Sequence, residues 1–105
     1  MTKYSDIQNI LEEAIHNSPA IGAHGTFWRD ISRDEFVSKK VFGCQIIVRH
    51  GETFVGPESP LVKILRAPIV CEENDFAQMP AGGFDPLPEV KIQTISDWID
   101  AQCPE

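Results

Sequence analysis

The sequence predicts a mainly α-helical single domain, a bundle of about four short helices with long loops, in which the N- and C-terminal helices cross. Three observations predict it. Apolar residues recur at helical spacing near both ends of the chain. Serine-based helix-start signals stand ahead of two further short apolar runs. The length of 105 residues leaves room for one core, so residues 1–105 are expected to form one domain.

The first helix opens at a capping box of Ser5 and Gln8, and Ile7, Ile10, Leu11, Ala14 and Ile15 then share one face. It is expected to end at Asn17-Ser18-Pro19, because proline disfavours a helical residue before it. Ser32 and Glu35 form a second capping box for a short helix carrying Phe36, Val37 and Val41, with Gly43 as its left-handed cap. Cys44 to Val55 reads as extended chain or a short hairpin around His50-Gly51. Ser59 followed by Pro60 opens a third helix with Leu61, Ile64 and Leu65 inside, stopping before Pro68. Ile69 to Pro88 holds an acidic cluster, Glu72-Glu73-Asn74-Asp75, and several helix breakers, and reads as one long loop. The last helix runs from about Glu89 to Ala101, with Ile92, Ile95, Trp98 and Ile99 on one face. Helices this short are not stable alone, so the two terminal ones are expected to bury their stripes against each other.

Charge excludes some functions. Nine basic and sixteen acidic residues give a net charge of −7, with no basic cluster beyond Lys39-Lys40, so no nucleic-acid partner is expected. The apolar runs are far shorter than the roughly 20 residues a membrane helix needs, and no membrane association is expected. The polar start, Met1 to Asp6, has no signal-like apolar run. A cytoplasmic location is the expectation, or a periplasmic one if the chain is a trimmed or engineered form of an exported protein. Cys44, Cys71 and Cys103 are odd in number and lack Cys-x-x-Cys spacing, which argues for reduced thiols and against both a disulfide framework and a zinc site.

Three segments resemble the class I cytochromes c in their order along the chain. They are Gly56-Pro57-Glu58-Ser59-Pro60-Leu61 at a helix start, Met79-Pro80 in a loop, and Ile95-Ser96-Asp97-Trp98-Ile99-Asp100 in a terminal helix. In that family a Cys-x-x-Cys-His-Gly motif follows the first helix, its thiols bonding the haem and its histidine ligating iron. Here the same place reads Ala20-Ile21-Gly22-Ala23-His24-Gly25, with alanine at both cysteine positions. The resemblance implies His24 and Met79 as axial ligands if haem is bound, a pair that raises a haem's reduction potential.

Phe27, Trp28, Phe36, Phe54, Phe76 and Phe84 are the candidates to line a haem crevice or to fill it. An empty crevice of several hundred Å³ would cost roughly 10 kcal/mol at about 24 cal/mol per Å³. That matches the whole stability of a typical domain, about 5–15 kcal/mol. The expectation is therefore a crevice collapsed onto side chains, with no cofactor, in a module that binds a protein partner, for instance a redox protein, or completes a larger assembly. The alternative is an electron-transfer protein holding haem b non-covalently through His24 and Met79. A blue-copper set of His24, Met79 and a cysteine lacks a second histidine, since His16 and His50 read as solvated. A non-enzymatic role is expected, and no catalytic or metal-binding residue is assigned.

Overall fold

The computed structural model describes residues 2–14, 28–29, 31–41, 43–76, 78–79 and 87–105. The first helix, α1 (Tyr4–Ala14), buries Tyr4, Ile7, Ile10 and Leu11 along one face. Its first turn is held by the Lys3 N–H donating to Asp6 Oδ2 at 2.8 Å, the reach-back half of a capping box. The helix thus starts ahead of the expected Ser5–Gln8 box, and Gln8 is released for another contact. Its expected end at Asn17-Ser18-Pro19 lies outside the described residues.

The second helix, α2 (Arg33–Val37), is capped as expected, with Ser32 Oγ accepting from the Glu35 N–H. It stops sooner than expected, at Ser38, whose hydroxyl donates to the Asp34 carbonyl at 3.0 Å. Val41 falls instead in β1 (Lys40–Val41), paired antiparallel with β2 (Cys44–Gln45). Gly43 has a positive φ of 80°, but it serves the turn between these strands and not a helix end.

The stretch around His50-Gly51 forms a hairpin of β3 (Val48–His50) and β4 (Thr53–Val55), with Gly51 at φ 65° in its two-residue turn. Helix α3 (Pro60–Arg66) follows, with Pro60 in its first turn. Ser59 holds the N-cap position without a capping side-chain bond. Its fully buried hydroxyl accepts from the Val48 N–H at 3.0 Å and donates to the Val55 carbonyl at 2.8 Å, bridging the paired ends of β3 and β4.

A third hairpin, β5 (Ile69–Cys71) and β6 (Asn74–Phe76), occupies part of the segment expected to be one long loop. The expectation of a mainly α, all-helical bundle is therefore overturned: the described residues combine four helices with three two-stranded antiparallel sheets, a mixed α and β fold. The strands are two or three residues long, too short for an alternating pattern to stand out in the sequence.

Helix α4 (Glu89–Asp100) buries Ile92, Ile95, Ser96, Trp98 and Ile99. It ends in a Schellman motif: the Cys103 N–H donates to the Trp98 carbonyl at 3.0 Å and the Gln102 N–H to the Ile99 carbonyl at 2.9 Å. Arg33 reaches across from α2 to donate to the carbonyls of Gln102 and Cys103, at 2.9 and 2.7 Å. Gly56 sits so close to α4 that a Cβ there would lie 2.2 Å from the Ser96 carbonyl oxygen.

The terminal helices meet through rings, Tyr4 stacking on Trp98 with centroids 6.1 Å apart. Phe36 completes the cluster at 5.3 Å from Tyr4 and 6.1 Å from Trp98. The crossing of these helices belonged to the all-helical plan. In the mixed fold α4 also packs on α3 and β4. The cysteines form a disulfide between Cys44 of β2 and Cys71 of β5, with Cα atoms 5.8 Å apart, and leave Cys103 as a free, buried thiol. The expected set of reduced thiols is corrected, because the pairing is made by two hairpins that lie far apart in sequence.

Candidate functional site

Trp28, Arg29 and Ile31 lie against α1, and three side chains of that helix receive them. Tyr4, Gln8 and Glu12 are spaced by four and so stand on one side of α1, beside its apolar stripe. The Gln8 amide donates to the Trp28 carbonyl at 2.9 Å. The Tyr4 hydroxyl donates to the Ile31 carbonyl at 3.0 Å, with the Trp28 carbonyl 3.4 Å away. Glu12 Oε1 accepts from the Trp28 indole at 2.9 Å and from Arg29 Nε at 2.7 Å, while Arg29 Nη2 bonds the other carboxylate oxygen. This fork is the bidentate geometry in which charge-assisted bonds are strong.

Two ionisations respond to these contacts. The Arg29 hydrogen bonds hold the Glu12 carboxyl below its ordinary pKa, against a smaller opposing effect of burial. Burial pushes the Tyr4 hydroxyl up, and the negative charge of Glu35 adds to that. The sequence carried a signal for this cluster in the polar row 4, 8, 12, which apolar periodicity alone passes over.

Of the residues expected at a haem crevice, His24, Phe27 and Phe84 lie outside the described residues, as do Ala20 and Ala23. Of the remaining four, Trp28, Phe36 and Phe54 lie in or against one buried core. Trp28 and Phe36 belong to the buried core, at 3% and 0% exposure. Phe54, on β4, lies under the guanidinium groups of Arg33 and Arg49, 5.7 and 5.9 Å from its ring centre. Phe76 is half-buried on β6, paired across the hairpin with Ile69. Met79 packs half-buried against the core, and its N–H donates to the Ile64 carbonyl of α3 at 2.9 Å. His50 is exposed and lies 3.1 Å from Glu58, and His16 falls outside the described residues.

Covalently attached haem does not fit this chain. Two of its three thiols are consumed in the Cys44–Cys71 bond, and the third, Cys103, is wholly buried behind α4. Burial drives the Cys103 thiol up to about 11, with the nearby Arg33 opposing the shift, so it is neither accessible nor ionised at neutral pH. Among the described residues no group of three or more His, Cys, Asp or Glu side chains is placed to hold a metal ion. No described helix is long and apolar enough to cross a membrane. Comparison with protein-family models, curated proteins and solved structures gives no match to this chain.

Proposed function

We propose that this chain is a haem-free, partner-binding or accessory module, in which the order of cytochrome c-like segments is kept while the redox group is not. The observation that carries the reading is the placement of Trp28 and Phe36. Both are candidates to face a cofactor; Phe36 packs instead on the rings of Tyr4 and Trp98, and Trp28 lies in the same buried core. Trp28 is further fixed at its indole nitrogen and its carbonyl by Glu12 and Gln8. Turning these rings toward a porphyrin would unpack interior groups already near crystal density.

Without a redox group, the surface carries the function. A net charge of −7 favours a partner with a basic face, since complementary potentials speed encounter and select against wrong partners. The Cys44–Cys71 disulfide supports an oxidising compartment, such as the periplasm, over the cytoplasm.

Titration with haemin, followed by absorption, tests the reading. The expected result is no saturable one-to-one Soret shift. A stoichiometric low-spin complex that disappears in His24→Ala and changes in Met79→Ala would instead establish the electron carrier holding haem b.

A further inference from the structure

We infer that Cys71 is a thiol–disulfide exchange site, whose substrate is a dithiol reductant, and that the Cys44–Cys71 bond latches the β5–β6 hairpin to the body. Three observations converge on it. Among the described residues, the buried core and the side chains packed on it come from α1, Trp28, residues 31–65, Met79 and the stretch from Leu87 to Cys103, and none comes from residues 69–76. The hairpin has only three residues in each strand, and an isolated pair of strands is marginal in water even when longer. Its turn is Glu72-Glu73, both at positive φ, 52° and 67°, where side chains bearing a Cβ are strained.

Local packing and a covalent tie stand against these costs. β5 packs beside α3, and just beyond β6 the Gln78 side chain and the Met79 N–H bond the Leu65 and Ile64 carbonyls. The disulfide is the covalent tie, joining β5 to β2 across a separation of 27 residues. Cys71 is half-exposed and Cys44 is buried, so an incoming thiolate reaches the Cys71 sulfur first.

The exchange balances as an ordinary dithiol reduction. A thiolate of the reductant attacks Cys71 Sγ and forms a mixed disulfide, and the Cys44 sulfur leaves as thiolate and takes up a proton. The second thiol of the reductant then displaces Cys71, so the reductant is oxidised to its own disulfide. Two electrons and two protons have passed to Cys44 and Cys71, and the covalent tie between the hairpin and β2 is gone.

Hydrogen exchange on the intact protein, before and after treatment with a small dithiol, tests the latch. Amides of residues 69–76 should exchange faster in the reduced form, by up to roughly 400-fold if the whole entropy of the closed loop is felt there. Those of α1 and α4 should be unchanged. A Cys44→Ser/Cys71→Ser double variant, without reductant, should reproduce the pattern, and alkylation of the reduced wild type should modify Cys71 ahead of Cys44 and leave Cys103 untouched. Unchanged exchange in the hairpin would overturn the proposal, as would a rise spread over α1 and α4, which would make the bond a staple of the whole fold.

Discussion

The side chain of Gln102 pairs with both backbone groups of Phe54: its Oε1 accepts from the Phe54 N–H at 2.8 Å and its Nε2 donates to the Phe54 carbonyl at 3.1 Å. Gln102 occupies the left-handed position of the α4 Schellman motif, φ 73°, where glycine is the common choice. The amide thereby extends β4 by one strand-like contact and ties it to the end of α4, which explains a residue with a Cβ at this position.

Two substitutions separate the amide pairing from the backbone strain. Gln102→Ala keeps the strain and loses both Phe54 bonds and the one from Nε2 to the Asp100 carbonyl, and should cost about 2–3 kcal/mol, at about 0.5–1.5 kcal/mol for each bond. Gln102→Gly loses the same bonds but relieves a left-handed conformation worth roughly 1–2 kcal/mol, so it should be the milder change. Urea denaturation of the three proteins checks the order. If glycine proves as harmful as alanine, the φ at this position is not a source of strain.

Acid stability should depend on Glu12. Arg29 depresses its pKa in the folded state, so the folded chain favours the carboxylate more than the unfolded chain does. Its contribution is therefore complete above the ordinary carboxylate range and is lost as pH falls through the depressed value. The pair is partly exposed, at 20% for Glu12 and 31% for Arg29, so screening reduces the effect. Thermal melts from pH 7 down to pH 3 should show a shallower acid decline in Glu12→Gln than in the wild type. An identical slope would mean that Glu12 does not contribute to the acid limb.

Local signals made the helices and the β3–β4 hairpin around His50-Gly51 legible and left the other two sheets hidden. The faces of α1 and α4 follow from apolar spacing, the start of α2 from Ser32 and Glu35, and the start of α3 from Pro60. Ser59 was legible as to place but not role, because its hydroxyl is used by strands 4 and 11 residues earlier in the chain. The disulfide and the receipt of Trp28 by Gln8 and Glu12 are contacts between distant segments, which no local spacing encodes. Setting Phe76 apart from Trp28, Phe36 and Phe54 likewise depends on strands that the sequence marks only weakly.

The clearest case is the β5–β6 hairpin, and it supports a prediction of its own. Two-residue hairpin turns with both central residues at positive φ match the twist of the strands, and asparagine followed by glycine is their usual sequence. Here the pair is Glu72-Glu73, between the register partners Cys71 and Asn74, so the local chemistry points away from a turn that the chain nevertheless makes. The two carboxylates also stand beside Asp75, and like charges this close repel one another. The double substitution Glu72→Asn/Glu73→Gly should relieve both costs and stabilise the protein by about 1–2 kcal/mol, given roughly that much for each left-handed residue and partial relief at asparagine. The gain should appear in urea denaturation of the oxidised protein, and it should persist at high salt, where charge relief alone would be screened away. A gain that vanishes in salt would locate the cost in the carboxylates, and no gain at all would mean that the hairpin turn is not strained.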